Sequence, residues 1–489
     1  MDGPTRTDPS STPGPGTLHP PADLARTLGE LRASGWRSVP VAEEMRRNTA
    51  ARIASEESLI PGVLGFDDTV VPQMENAILA GHDIILLGER GQAKTRVIRS
   101  MVGLLDEWLP IVAGSEINDD PYGPVSRAAV IAVAEGGDET PITWVHRSQR
   151  YGEKLATPDT SIADLIGEVD PIKIAEGRYL SDELALHYGL IPRVNRGIFA
   201  INELPDLSER IQVGLLNVLE ERDVQIRGHR IRLPLDITLV ATANPEDYTN
   251  RGRIITPLKD RFGAQIRTHY PFETMTEVKI MESEAELPTA GVPVTVPAYL
   301  KEVVAEISQL ARRSSHLNQR SGVSVRLSIA NYETLVANAV RRALRTTEPV
   351  AVPRISDLSA LVPSTQGKIE VEAMEEGHEE IVVAQLVSAA VLSVFRRRVT
   401  LDDPAAIVGA FTEQVVVHAG DDLPSAAYLA VLADLPELEP PTRALAGPDA
   451  AESPALMASA LEFLLEGLHL TKRLNKDSSG ARALYRGRK

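Results

Sequence analysis

Short unbroken apolar runs alternate with helix-like periodicity in the first half of the chain, and the second half turns helical. Ile84-Ile85-Leu86-Leu87, Ile198-Phe199-Ala200-Ile201 and Ile237-Thr238-Leu239-Val240-Ala241-Thr242-Ala243 are each too short for a globular helix and rich in β-branched residues. Runs of this kind are strands buried on both faces, which is the condition of a parallel sheet covered by helices. The region 59–272 therefore reads as an α/β domain. From 273 to 398 apolar positions recur at three and four residues, at 299–313, 329–344 and 380–395, and predict an all-helical domain. Residues 399–489 read as a helical C-terminal extension: mainly helical over 401–432, a Pro-rich linker at 435–448, and a helix over 455–474. Leu456, Ala460, Phe463 and Leu464 share one face of that last helix, and Gly467 interrupts it. The Pro, Gly, Ser and Thr of 1–22 lack large apolar partners and predict a disordered tail, followed by a helical lead-in over 23–58. Arg396-Arg397-Arg398 and the basic residues of 482–489 read as solvated charge.

Polar groups cluster where the apolar runs end. After Leu87 comes Gly88-Glu89-Arg90-Gly91-Gln92-Ala93-Lys94-Thr95, and a helix-like segment follows it. Strand, glycine-rich turn and helix form a loop whose successive backbone N–H groups cradle phosphate oxygens. Lys94 is placed to reach the β- and γ-phosphates and Thr95 to hold Mg²⁺. Ala93 stands where the pattern has its last glycine, and the expectation is a negative φ there because the helix is already starting. The run ending at Ile201 leads to Asn202 and Glu203. Ligands bind at that end of a parallel strand, so Glu203 is a candidate to activate water and Asn202 a candidate beside the metal. Asparagine there brings no negative charge. The run ending at Ala243 leads to Asn244-Pro245, an amide able to hold a water or the γ-phosphate, or simply a turn.

Composition narrows the function classes. A chain of 489 residues holds two or three domains, and no apolar run approaches a membrane span. No basic-then-apolar leader pattern opens it, and the absence of cysteine excludes disulfides and thiolate zinc sites, which suits the cytoplasm. A net charge of −17 argues against wholesale nucleic-acid binding.

Three further motifs follow the loop in order: Asn202-Glu203-Leu204-Pro205, Ala243-Asn244-Pro245-Glu246 and Leu258-Lys259-Asp260-Arg261-Phe262. With the loop they resemble the AAA+ ATPases, specifically the MoxR and magnesium-chelatase ATPase-subunit group, over about residues 55–400. Alanine before the loop lysine is similar to MoxR proteins, as is the segment 69–80, with Pro72 in its first turn, leading into Gly81-His82-Asp83. The resemblance implies a P-loop AAA+ core with β-hairpin insertions, and ATP and Mg²⁺ as ligands. It implies Asn244 as first sensor, Arg261 as the arginine finger reaching a neighbour's γ-phosphate, with Arg251 and Arg253 competing, and Arg326 as second sensor at a lid-helix start. The 94–203 interval leaves room for a hairpin insertion around 162–180, and the alternation around Gly228-His229 predicts a second hairpin. The family further implies a homo-oligomeric ring, a hexamer, acting on a protein client with a von Willebrand factor A partner. Rival readings are a magnesium-chelatase motor and a nucleotide-gated scaffold with little hydrolysis, the latter because of Asn202. A third is an activator of the alternative sigma factor, suggested by Gly409-Ala410-Phe411-Thr412, although that tetrapeptide lies beyond the ATPase motifs.

Overall fold

The computed structural model describes residues 20–488 except 170–185, 221–222, 226–231, 246–252, 289, 316, 319–321, 371–377, 413–414, 449–452 and 480–481. They form two compact units, one through His269 and one from Tyr270 onward.

In the first unit the apolar runs become strands β1 (Ile84–Leu87), β2 (Tyr151–Leu155), β3 (Gly197–Asn202), β4 (Ile237–Ala243) and β5 (Ala264–Arg267). All neighbours pair parallel, in the order β5-β1-β4-β3-β2. Alternate residues enter two cores. Ile84, Leu86, Ile198, Ala200 and Val240 pack with the helices Val41–Ala54, Val70–Ala80 and Lys94–Ser100. Ile85, Phe199, Ile201, Leu239 and Ala241 pack on the other face with Ile211, Leu215 and Val218 of the helix Glu209–Glu220. A strand whose odd and even positions are both covered needs apolar residues at every position, which is why these runs are unbroken.

Besides the antiparallel pair Trp108–Val112 with Ile142–His146, two shorter antiparallel pairs decorate the core. Gly167–Val169 pairs with Leu186–Tyr188, and Asp223–Gln225 pairs with Arg232–Pro234. The second pair agrees with the hairpin expected around Gly228-His229; the arms expected at 170–174 and 178–180, and the turns at 176–177 and 228–229, lie outside the described residues. The helical lead-in is anchored by an ion pair at the Val41–Ala54 helix. Glu44 accepts from both terminal nitrogens of Arg150 at 2.8 and 2.6 Å, with the two side chains 2% and 0% exposed.

The second unit is built on the helices Thr274–Glu284, Ala298–Ala311, Arg326–Thr346, His378–Arg398 and Pro454–Leu470. Gly467 is where Phe395 lies against the last of these; a Cβ there would fall 1.9 Å from the Phe395 ring, so the glycine that breaks the apolar face lets the two helices pack closely. Arg397 and Arg398 are not simply solvated, because both pair with the buried Glu302.

The C-terminal extension is not wholly helical, which corrects the sequence expectation. Val416–Gly420, Arg482–Gly487 and Leu474–Ser479 form a three-stranded antiparallel sheet. Its last hairpin alternates charged residues with a few apolar ones, and only Leu474 and Tyr485 are deeply buried, so its apolar signal is thin. Nor is 435–448 a linker: it holds a short 3₁₀ turn, Pro436–Leu438, and the helix Glu439–Ala446. Its prolines sit in first turns, where the missing N–H has no helical partner to lose.

Candidate functional site

The polar groups that follow β1, β4 and β3 come together at one edge of the sheet. These strands are adjacent, and their registers set Leu87 beside Ala243 and Ala241 beside Ile201. The residues that follow are therefore neighbours at the carboxyl ends of the strands, the usual ligand position in a parallel sheet.

The 88–95 loop is braced from within. Gly88 N–H donates to Ala243 O at 3.1 Å and Thr268 N–H donates to Leu87 O at 2.8 Å. The Gln92 side chain, 7% exposed, turns back across the loop. Its Oε1 accepts from Glu89 N–H at 3.1 Å and from Thr268 Oγ1 at 2.8 Å. Gly88 leaves room for this brace: a Cβ there would lie 1.9 Å from Thr268 Oγ1 and 2.3 Å from Gln92 Oε1. Lys94 is 7% exposed and its Nζ donates to the carbonyls of Gly88 and Glu89, the latter at 2.8 Å. The ammonium is thus held inside the concavity of the loop. Arg90 is exposed at the loop's outer side.

Gly91 has φ 75° and Ala93 φ 55°, both left-handed. The negative φ expected at Ala93 is therefore corrected. The helix begins one residue later, at Lys94, and the backbone at 93 must reverse to turn the loop amides inward. A glycine is the residue usually placed there because a Cβ in this region costs about 1–2 kcal/mol.

At the end of β3 the Asn202 amide is 7% exposed. Its Oδ1 lies 3.5 Å from Thr95 Oγ1 and 3.4 Å from Thr242 Oγ1, and its Nδ2 donates to Glu153 Oε1 at 2.6 Å. Glu203 follows in left-handed backbone, φ 55°, with its N–H donated to Thr242 Oγ1 at 2.9 Å. Glu153, on β2, also accepts from Arg99 Nε at 2.8 Å, Arg99 Nη2 at 3.1 Å and Tyr151 OH at 2.9 Å. Burial pushes the Glu153 carboxyl up, but the hydrogen bonds from Arg99, Tyr151 and Asn202 outweigh it and hold it below the usual range. Burial, with Glu153 beside it, pushes the Tyr151 hydroxyl far up, so it remains a donor. Sequence reasoning placed Gln92 in the loop but missed Glu153 and Thr268. Only parallel pairing of 151–155 with β3 brings Glu153 to Asn202, and nothing in its local sequence announces that pairing.

Asn244 is 4% exposed, and its Oδ1 is buried with no hydrogen-bond partner among the described residues. An orphaned acceptor facing this strand edge fits a water of a bound nucleotide's shell. Together with the caged Lys94 ammonium and a loop that only glycine admits at 88, it makes the residues present fit Mg-ATP.

Arg261 closes the helix Thr256–Arg261, and its side chain is 35% exposed. It precedes β5, whose first residue, Ala264, pairs with Ile84, the first residue of β1. Arg261 therefore sits at the strands' amino ends, opposite its own phosphate loop. Arg253 is exposed, and Arg251 lies outside the described residues. Arg326 belongs to the second unit, at the first position of the Arg326–Thr346 helix, where its N–H donates to Ser324 Oγ at 3.1 Å.

Comparison with known proteins bears on this arrangement. A family model described as Sigma-54 interaction domain matches residues 176–261, under a fifth of the chain. The match contains Asn202, Glu203, Asn244 and Arg261 and excludes the tetrapeptide at 409–412. The chain is 30% identical over 207 residues to the magnesium-chelatase subunit ChlI of Anabaena variabilis, covering 42% of this chain and 57% of that protein. It is 26% identical over 261 residues to the chloroplastic ChlI of Oryza sativa subsp. japonica, covering 51% of this chain and 58% of the relative. The aligned stretch thus spans little more than half the length of these relatives. A solved assembly of subunits BchI and BchD of magnesium chelatase overlaps 66% of this chain and 98% of its own, at 20% identity and a TM-score of 0.35.

Proposed function

We propose that this chain, an AAA+ protein of the magnesium-chelatase group, binds Mg-ATP at residues 88–95 and hydrolyses it between subunits of a ring. The observation that carries the reading is the convergence of Lys94, Thr95, Asn202, Glu203 and the unpartnered Asn244 oxygen at the carboxyl ends of three adjacent parallel strands.

The loop N–H groups and Lys94 hold the β- and γ-phosphates. Thr95 and Asn202 hold the hydrated Mg²⁺, which when bound neutralises phosphate charge. Glu203 takes a proton from the attacking water, and Asn244 orients that water. The water oxygen bonds to the γ-phosphorus, the bridging P–O bond breaks, and ADP and phosphate result. Arg261, placed away from its own loop, serves the nucleotide of a neighbouring subunit by stabilising the charge that develops on the γ-phosphoryl group. Arg326 acts as a second sensor from the helical unit.

In the finer reading this is a MoxR-like motor of the cytoplasm, hexameric, remodelling or maturing a protein client with a von Willebrand factor A partner. Alanine before the loop lysine and the long C-terminal unit support it. The identity to ChlI proteins favours a second reading, a magnesium-chelatase-type motor subunit. Among the described residues no helix is long and apolar enough to cross a membrane.

The test is Lys94→Ala, titrated with a fluorescent ATP analogue in Mg²⁺. Removing the caged ammonium should abolish tight binding while the fold melts normally. Binding equal to wild type would remove the loop from the nucleotide site. For the partner, co-purification with candidate von Willebrand factor A proteins in the presence of ATP separates the two motor readings: chelatase activity without such a partner would favour the second.

A further inference from the structure

The strand end that faces Thr95 carries an amide, yet a carboxylate stands directly behind it. Glu153 Oε1 accepts from Asn202 Nδ2 at 2.6 Å, closer than any other contact of that amide. A carboxylate can only accept, so the NH₂ of Asn202 must face Glu153 and its Oδ1 must face Thr95 and Thr242. Left alone, an asparagine beside a metal could present either end, and a turned amide would offer two N–H donors where an acceptor is needed. Glu153 is itself fixed by two bonds from Arg99, whose side chain is 59% exposed, and one from Tyr151. Arg99 belongs to the helix that the phosphate loop opens, and Glu153 and Asn202 belong to paired strands. The triad therefore ties the helix behind the loop to the strand end opposite it.

We infer that the negative charge absent from position 202 has moved to Glu153, which acts through Asn202 as a positioning residue for the Mg²⁺ of the proposed nucleotide site. The inference rests on the nucleotide reading given above. It explains why an amide at 202 is compatible with a working site: the charge is retained one side chain further back, and the amide relays it as an acceptor aimed at Thr95.

The experiment is a Mg²⁺ titration of the binding of a fluorescent ADP, a readout that needs no turnover. Glu153→Gln should raise the Mg²⁺ concentration for half-maximal binding about tenfold, since the charge is gone and the amide at 202 is free to turn. Adding Asn202→Asp to Glu153→Gln restores one carboxylate facing one amide with the two exchanged, and should bring the requirement back to within about threefold of wild type. Arg99→Ala removes the ion pair but not the contact to Asn202. It should lower the melting temperature with little change in Mg²⁺ dependence. Unchanged Mg²⁺ dependence in Glu153→Gln, a double variant as impaired as Glu153→Gln, or an Arg99→Ala variant matching it would each overturn the relocated carboxylate. Wild type binding no tighter than Lys94→Ala would overturn the nucleotide site itself, and this inference with it.

Discussion

Gly88→Ala tests the phosphate loop as a built object. The added methyl would fall 1.9 Å from Thr268 Oγ1 and 2.3 Å from Gln92 Oε1, so one or both must move by more than an ångström. Moving them breaks the Thr268–Gln92 bond at 2.8 Å and the Glu89–Gln92 bond at 3.1 Å. Each is worth about 1 kcal/mol net, and leaving a buried donor or acceptor unmatched adds about 1–3 kcal/mol. Gln92 and Thr268 are each 7% exposed, so water cannot readily replace the lost partners. The sum is about 3–5 kcal/mol, borne mainly by the loop. At about 1.4 kcal/mol per decade it becomes a loss of nucleotide affinity of roughly 100- to 4000-fold, with a smaller fall in melting temperature. Thr268→Ala alone loses one hydrogen bond but removes the nearer obstacle, so Gly88→Ala with Thr268→Ala should bind better than Gly88→Ala alone. A coupling of about 1 kcal/mol or more, measured by calorimetry across the four proteins, is expected for groups in contact. Unchanged affinity in Gly88→Ala would refute the brace, and strict additivity would clear Thr268 as the obstacle.

Glu203→Gln should bind ATP as wild type does and lose the chemical step by ~10²-fold or more in single-turnover assays; an unchanged rate would remove Glu203 as the base. Arg261→Ala should impair hydrolysis with binding nearly intact, and mixing it with Lys94→Ala subunits should recover activity, because some interfaces then pair an intact loop with an intact arginine; proven co-assembly without recovery would rule out a residue acting between subunits. Ala93→Gly should relieve about 1 kcal/mol of left-handed strain while costing about as much in chain entropy, leaving the melting temperature within a degree or two; a large loss would mean that the Ala93 methyl, which packs on the core cluster, carries more than its backbone costs.

The sheet was legible because burial on both faces leaves no charged residue and few polar ones in β1, β3 and β4, their polar positions being Thr238 and Thr242 in β4 and Asn202 at the end of β3. The loop and the two strand-end motifs were legible for the same reason: each is polar chemistry placed directly after such a run. What escaped was set by pairing rather than by local pattern. Strand β2 is Tyr-Gly-Glu-Lys-Leu, an edge strand with one neighbour and largely half-buried side chains, so its composition resembles a loop and Glu153 went unremarked. Thr268 lies 180 residues from Gly88 in sequence and reaches it only because β5 pairs with β1. The C-terminal sheet was missed because its strands are short and mix polar, charged and small residues with few large apolar ones, and 435–448 was misread because prolines that open a helical turn look, in sequence, like prolines that end one.

Ala93 and Glu203 share one further property, a φ of 55° in residues with a Cβ. Ala93 caps the helix Lys94–Ser100 and Glu203 directly follows β3, and a side-chain bond lies beside each: Thr268 Oγ1 to Gln92 at the first, and the Glu203 N–H to Thr242 Oγ1 at the second. Such conformations cost about 1–3 kcal/mol each and persist only where the surroundings over-determine them. At Glu203 the consequence is direct. The left-handed turn ends β3 at Asn202 and starts the 3₁₀ turn Leu204–Asp206, so the carboxylate leaves the sheet at its carboxyl edge instead of continuing the strand's alternation into a core. The Thr242 hydroxyl, accepting from the Glu203 N–H at 2.9 Å, ties that turn to the end of the neighbouring strand β4 and so fixes where β3 ends.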